Sequence, residues 1–521
     1  MIFKSPYQDV EIPRVSLPEF VLESARQRGD KPALIDGPSG RTITYQQLVA
    51  SAEALASGLA ARDFGKGDVL AIYSPNVPEY AVAFHGTALT GGVVTTINPL
   101  YKVDELAFQL NDSAARYLLT IPQFVDQAKE AAARSKVEEI FVLGEAEGAT
   151  PFASLFGKGT PPAVDIDPDA DLIVLPYSSG TTGFPKGVML THGNIVANIC
   201  QTEPPHSTSD NDVIIGVLPF FHIYGMTVIM NIALCRGATV VTMPRFDLGD
   251  FLRILQDYEV TRAYLVPPIV LALAKQPAVD QFDLSKLEVI MSGAAPLGGD
   301  LAGEVASRLD CLVMQGYGLT ETSPVTHMIP DDEPGKNRAG SIGFPIPNTE
   351  CKIVDVTDGR ELGPNETGEL WIRGPQVMKG YLNNPEATAA TIDDDGWLHT
   401  GDTATADEDG YFFIVDRLKE LIKYKGFQVP PAELEAILLT HPSVADAAVI
   451  PIPDDEAGQI PKACVVLAGE LSADDLMAWV AERVAPHKKI RRVEIVDEIP
   501  KSPSGKILRR VLIDREKAGT G

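Results

Sequence analysis

Between residues 172 and 314, short apolar runs alternate with amphipathic helical segments. Residues 172–177, 213–218, 238–243, 262–266, 287–291 and 311–314 read as strands. Helical patterns separate them, for example 249–258 behind the cap Asp247, and 297–309. An earlier stretch repeats the theme: 68–73 reads as a buried strand, Glu79–Ala88 as a helix, and Val93–Ile97, 117–121 and 139–143 as further apolar runs. Strands that are apolar throughout and separated by helices imply parallel sheets covered on both faces. Ligands of such sheets sit outside the carboxyl ends of the strands.

The pattern changes at about residue 340 to short strands and Gly/Pro turns, and after Asp416 to a compact mixture in which 430–441 and 472–484 read as helices and 445–452 and 462–468 as strands. The predicted fold class is therefore α/β. A large N-terminal domain, residues 1–416, has two doubly wound sheets (about 30–170 and 171–339) and a small β-barrel-like subdomain (about 340–415). A small, mobile α+β C-terminal domain follows, residues 417–521. No internal repeat or low-complexity tract interrupts this order.

Lys and Arg number 44 and Asp and Glu 71, a formal charge of −27. Such a surface repels nucleic acid and anionic membranes at long range. It also repels nucleotides, so any phosphate site must be built locally. Five cysteines, an odd number with no close pair, read as buried free thiols of a reducing compartment. No run approaches the ~18 apolar residues of a membrane span, the first residues lack the apolar core of a signal peptide, and Ala518-Gly519-Thr520-Gly521 is not a peroxisomal address. The expectation is a cytoplasmic protein with no membrane insertion and no nucleic-acid partner. Asp165, Asp167, Asp169 and Asp171 alternate like a calcium loop, but Ala170 and Pro176 stand where glycine and glutamate are needed.

The densest motif is Tyr177-Ser178-Ser179-Gly180-Thr181-Thr182-Gly183-Phe184-Pro185-Lys186-Gly187. Glycine lets backbone N–H groups approach an anion, and hydroxyls and a lysine add donors. No Ser or Thr follows Lys186, unlike a Walker A loop. Further along come Gln315-Gly316-Tyr317-Gly318-Leu319-Thr320-Glu321, Thr400-Gly401-Asp402, Asp416-Arg417-Leu418-Lys419, Leu421-Ile422-Lys423-Tyr424-Lys425-Gly426-Phe427-Gln428 and Pro500-Lys501-Ser502-Pro503-Ser504-Gly505-Lys506. Taken singly, the Gly-Asp pair is a common turn and Lys506 a solvated tail lysine. A lone carboxylate beside glycines, as at Glu321, suits a magnesium ion that keeps most of its waters.

Together, and in this order, these motifs resemble the adenylate-forming superfamily of acyl-CoA synthetases, firefly luciferase and peptide-synthetase adenylation domains, over nearly the whole chain. The nearest branch is that of 4-coumarate–CoA ligase. The resemblance implies an ATP site of Ser178, Ser179, Gly180, Thr181, Thr182 and Lys186 (phosphate loop), Gly316, Tyr317 and Gly318 (adenine edge), Thr320 (α-phosphate), Asp402 (ribose) and Arg417 (ribose or phosphate). It implies Mg²⁺ on Glu321, a catalytic Lys506 bridging substrate carboxylate and α-phosphate, and Lys423 and Gln428 near the adenylate. Lys425 and Gly426 would meet the coenzyme A pantetheine. Asp416 to Lys419 would be a hinge on which the small domain turns between half-reactions. A lysine acetyltransferase and deacetylase acting on Lys506 would switch the enzyme by removing its charge. The basic cluster from Lys488 to Arg492 reads as a solvated face, with the 3′-phosphate of coenzyme A as the alternative.

Pro219-Phe220-Phe221-His222-Ile223-Tyr224-Gly225 follows a strand and opens a helix. By resemblance His222 lies against the acid's carboxylate, and Tyr224, Val228, Met291, Ala294, Gly316, Pro324 and Val325 surround its body. This wall is apolar with one phenol, and Val228 departs from the small polar residue of the plant enzymes. The implied activity is an ATP-dependent acid–CoA ligase that forms an acyl-adenylate and then a thioester, acting on hydroxycinnamic acids. A medium-chain fatty acid substrate, loading of a carrier protein, and a module that holds ATP without catalysis are the alternatives.

Overall fold

The computed structural model describes residues 1–178, 185–331, 336–425, 427–454, 456–503 and 505–519. Its first large sheet runs, in spatial order, through Gly380–Tyr381, Lys186–Thr191, Leu172–Ser178, Val93–Ile97, Val69–Tyr73, Tyr117–Thr120, Glu139–Val142 and Thr150–Pro151. Its second runs through Phe344–Pro345, Val325–Met328, Leu312–Gly318, Val289–Ser292, Arg262–Leu265, Val213–Gly216, Thr239–Thr242, Pro32–Asp36 and Thr42–Thr44. The centres of both are parallel, as the apolar runs demand. Along Val69–Tyr73 the side chains part by alternation. Leu70 and Ile72 enter a core that also holds Ile214, Val240 and Leu34 of the second sheet; Val69, Ala71 and Tyr73 pack with Leu106, Leu110 and Ala128 on the other face. Helices Tyr45–Ala60, Glu79–Ala88 and His192–Gln201 contribute to the shared core.

The sheets do not divide at residue 170 as the sequence suggested. Leu172–Thr191 completes the first sheet, and residues 32–44 complete the second. An apolar run fixes that a strand is buried on both faces but not which strand lies beside it: Val174 pairs with Val94, and Leu34 with Val240. Two motifs also lie deeper in strands than expected. Gln315 to Gly318 is itself strand, paired antiparallel with Val325–Met328, and the phosphate-loop motif joins two antiparallel strands, with Lys186 opposite Ser178.

The β subdomain is antiparallel, in the order Phe3–Lys4, Glu350–Val354, Gly368–Arg373, Leu398–Ala406 and Phe412–Arg417. The chain's first strand is thus an edge of the third sheet. The C-terminal sheet runs Phe427–Val429, Ile422–Tyr424, Gly458–Leu467 and Val444–Asp454, with Arg492–Ile495 alongside Gly458–Leu467. Val449, Ala463 and Val465 pack with Leu434 and Leu476; Ala448, Ile450 and Cys464 pack with Ile499 and Leu512. The helix Ala473–Ala481 is capped by Ser472, which accepts from the Asp475 N–H. Among the described residues no helix is long and apolar enough to cross a membrane. The five cysteines are free thiols; Cys200, Cys351 and Cys464 are buried, whereas Cys235 and Cys311 are only partly so.

Candidate functional site

The carboxyl ends of the second sheet's parallel strands converge. Val213–Gly216 leads to His222, Arg262–Leu265 to Val266, Val289–Ser292 to Gly293 and Ala294, and Leu312–Gly318 carries Gly316 and Tyr317. The Tyr317 hydroxyl donates to Asp402 Oδ2 at 2.6 Å. Asp402 lies in Leu398–Ala406 opposite Arg417, whose Nε is 3.2 Å from Asp402 Oδ1. Burial raises the Asp402 pKa, opposed by Arg417 and the Tyr317 hydroxyl. The Arg417 guanidinium is held above its ordinary value, chiefly by Asp402. A carboxylate has about four acceptor sites, so Asp402 with these two donors in place keeps further acceptor capacity.

Lys506 comes into this cluster from the C-terminal region. Burial, then Arg417, pushes its pKa down, while Asp402, Glu321 and Glu420 pull it up. Residues of two sheets and the C-terminal segment thus bear on one ammonium. The seat is tight. A Cβ on Gly505 would lie 2.8 Å from Val266 Cγ2, and Gly505 adopts φ +77°. Gly505→Ala is therefore expected to misplace Lys506, lowering adenylation by roughly 10–100-fold with a melting temperature close to wild type. Pyrophosphate exchange and a thermal melt check this; exchange at the wild-type rate would show that the loop tolerates the shift.

His222 accepts a hydrogen bond from the Tyr224 N–H on Nδ1, at 3.3 Å. Its pKa falls to about 3, first by burial and then by the nearby Lys506 charge. The ring is neutral at pH 7, and with Nδ1 accepting, its proton sits on Nε2. Tyr224 opens a π-helix, Tyr224–Ile232, a winding often found at functional sites. Its hydroxyl donates to the Met291 carbonyl at 3.2 Å, and Gly293 lets the ring lie close: a Cβ there would meet Tyr224 Cε1 at 2.9 Å. Val228 and Met291 are buried. Val325 is fixed by Asn198, which donates to its carbonyl and accepts from its N–H. Gly316 is not sterically forced, since a Cβ would find its nearest neighbour, the His327 carbonyl oxygen, at 3.4 Å.

Not every expected residue joins this site. Ser179, Gly180, Thr181, Thr182 and Gly426 lie outside the described residues. Lys423 and Gln428, expected beside the adenylate, face each other across an exposed hairpin. Among the described residues no hydrogen bond or ion pair joins them to Asp402, Arg417 or Lys506; the Lys423 N–H donates to Gln459 instead. The hairpin and the Lys506 loop lie on separate elements of the C-terminal region, and Lys506 is the one turned to the nucleotide edge. Lys425 is exposed and ion-paired with Glu456. Within the basic cluster, Lys488 holds Glu433 and Arg491 covers the Tyr424 ring. Of the two hinge residues, Lys419 is exposed but Asp416 is buried. Asp416 accepts from the Ala432 N–H at 2.9 Å, and burial raises its pKa to about 6.

The AMP-binding enzyme family matches residues 21–382, and the AMP-binding enzyme C-terminal domain matches residues 433–506. The chain belongs to the AMP-binding enzyme family. Among its relatives are 4-coumarate–CoA ligase 3 of Oryza sativa subsp. japonica, 44% identical over 530 residues covering 100% of this chain and 96% of that protein, and 4-coumarate–CoA ligase 2 of Petroselinum crispum, 44% identical over 533 residues covering 100% and 97%. The anthranilate CoA ligase AuaEII in complex with anthranoyl-AMP superposes with a TM-score of 0.91 at 25% identity, covering 98% of this chain and 99% of that one. ATP-bound MatB from Rhodopseudomonas palustris superposes with a TM-score of 0.86 at 28% identity, covering 96% and 99%. The AMP-binding family thus accounts for the large α/β region and for the C-terminal domain that brings in Lys506.

Magnesium suits the donor set at Glu321. One carboxylate oxygen, Oε1, accepts from the Tyr381 hydroxyl at 2.8 Å, and the other has no hydrogen-bond partner among the described residues. Among those residues no cluster of three or more His, Cys, Asp or Glu could enclose a metal ion. A single carboxylate matches an ion held mostly by water and phosphate oxygens rather than by a protein cage. Tyr381 was not singled out in the sequence. It contacts Glu321 from 60 residues away, across a sheet junction that no local pattern announces.

Proposed function

We propose that this chain is an ATP-dependent acid–CoA ligase acting on 4-coumarate and related hydroxycinnamic acids. The observation that carries the reading is that Lys506 lies within electrostatic reach of Arg417, Asp402 and Glu321 on one side and of His222 on the other. A flat ring fits the apolar wall, and the Tyr224 phenol offers a partner for a ring hydroxyl. The neutral His222 would donate from Nε2 to one carboxylate oxygen, leaving the other to attack the α-phosphate of ATP in line. Lys506 would neutralise the two approaching anions, which is most effective from a fixed, desolvated position. Lys186 would hold the departing pyrophosphate, and Tyr317, Asp402 and Arg417 the nucleoside. A magnesium ion on Glu321 would supply further charge neutralisation on the phosphates.

The acyl-adenylate then passes to the coenzyme A thiol, with release of AMP. Lys506 must leave first, and a turn about Asp416 to Lys419 would withdraw it and present the Lys423–Gln428 hairpin. Acetylation of Lys506 would silence the first step alone.

The test is ATP–pyrophosphate exchange with cinnamic, benzoic and C6–C12 fatty acids, followed by coenzyme A-dependent thioester formation. Preferential exchange with 4-coumarate supports the reading. Preference for a fatty acid would reassign the substrate, and an adenylate that never passes to coenzyme A would favour carrier loading. Because His222 titrates near 3, the pH profile of adenylation is expected to show no histidine limb between pH 5 and 8. A limb near pH 6.5 that His222→Ala abolishes would contradict the neutral donor.

A further inference from the structure

Resting on this adenylation reading, we infer that Tyr381 is a positioning residue for the first half-reaction, joining Glu321 to Lys186. Its hydroxyl donates to Glu321 Oε1 at 2.8 Å, and Lys186 Nζ stands 4.6 Å from its ring centroid. One buried side chain therefore touches both the carboxylate on the metal side and the cation on the phosphate side.

The backbone around it is held from both directions. Tyr381 pairs with Val188 and Gly380 with Met189, so the segment lies antiparallel beside the strand that begins at Lys186. The Leu382 N–H donates to the Gly187 carbonyl at 2.8 Å, and the Tyr381 N–H to Thr388 Oγ1 at 2.9 Å. On the other side, the Met378 N–H donates to the Glu321 carbonyl at 2.9 Å. Lys186 lies in the first sheet, and the strands flanking Glu321 lie in the second. Residues 378–382 stitch the two together at the point where a nucleotide would lie.

The choice of a tyrosine is chemically pointed. A hydroxyl hydrogen bond occupies one carboxylate oxygen and restrains the glutamate rotamer, leaving Oε2 without a hydrogen-bond partner among the described residues. Burial and the Glu321 charge raise the phenol pKa, so the hydroxyl remains a donor. The aromatic face orients the Lys186 ammonium without neutralising it. A carboxylate in the same place would quench the charge that the phosphates need.

The test uses the full chain and the variants Tyr381→Phe and Tyr381→Leu. Three quantities are read: Mn²⁺ binding in the presence of ATP by electron paramagnetic resonance, the Mg²⁺ and ATP dependence of pyrophosphate exchange, and thioester formation from supplied 4-coumaroyl-adenylate. Tyr381→Phe keeps the ring and loses the hydroxyl. It is expected to weaken Mn²⁺ binding and raise the Mg²⁺ requirement by about tenfold, with thioester formation unchanged. Tyr381→Leu is expected to raise the KM for ATP as well, because Lys186 loses its seat. A wild type that binds Mn²⁺–ATP and a Tyr381→Phe variant that binds it equally well overturn the inference alone. Equal losses in both half-reactions, with a lowered melting temperature, also overturn it in favour of a structural role. A wild type that binds no Mn²⁺–ATP overturns the adenylation reading and this inference together.

Discussion

Lys506→Ala is expected to slow acid-dependent ATP–pyrophosphate exchange by roughly 10²–10³-fold or more, while thioester formation from supplied 4-coumaroyl-adenylate stays within a few-fold of wild type. The asymmetry follows from where the lysine sits. It is desolvated, and the charges that act on it are Arg417, Asp402, Glu321 and Glu420, all of the nucleotide edge or the segment just after it. Its loop is seated against Val266. Alanine removes the cation that faces both anions, and no other described cation stands beside His222 to take its place. In the proposed second half-reaction Lys506 has already withdrawn when the coenzyme A thiol enters, so its loss should leave that step largely intact. The protein should remain folded, because the loop's hydrogen bonds use the Lys506 backbone, whose N–H donates to Ser502 Oγ and whose carbonyl accepts from the Ser502 N–H, and alanine keeps both. Equal losses in both half-reactions would remove the two-stage role.

Gly318→Ala is expected to have the next largest effect, and through a different cause. A Cβ on Gly318 would stand 2.1 Å from the Pro324 carbonyl oxygen and 3.2 Å from Val325 Cα. Both contacts are backbone, so no side chain can swing aside. The Leu312–Gly318 strand must separate from Val325–Met328, carrying Tyr317 away from Asp402 and displacing the Glu321 turn. Overpacking of this kind costs about 1–3 kcal/mol, and a misplacement near 1 Å costs roughly 10² in rate. The variant should show a lowered melting temperature and a raised KM for ATP together. Unchanged ATP kinetics would mean that the adenine edge does not depend on this strand pair. Gly316→Ala is the control for the melting temperature, since its Cβ would make only ordinary contacts within the protein.

These two glycines show how far the sequence could be read. The motif from Gln315 to Glu321 stood out as glycines, an aromatic and an acid after an apolar strand, and its expected role as a nucleotide edge came from its resemblance to the adenylate-forming enzymes. Which glycine is forced was not legible, because that depends on Pro324 folding back alongside. Buried strands such as Val69–Tyr73 announced themselves through an unbroken apolar run, and the cap Asp247 marked the start of its helix correctly. Sheet membership was lost at residues 32–44, whose partner Val240 is some two hundred positions away. The same distance problem hid Tyr381 and Glu420. Lys506 was identified through its motif, yet only the fold explains why its pKa is lowered, first by burial and then by Arg417. Lys423 and Gln428 were expected beside the adenylate for the same reason, and the fold leaves them on an exposed hairpin.

The most direct test follows one oxygen atom. In 4-coumarate labelled with ¹⁸O in both carboxylate oxygens, one labelled oxygen must attack the α-phosphate and leave with AMP when the thioester forms. Mass spectrometry of the AMP after turnover with ATP and coenzyme A should find one ¹⁸O per molecule. Unlabelled AMP, or ADP as the nucleotide product, would show that no acyl-adenylate forms where Lys506, Asp402 and Glu321 meet.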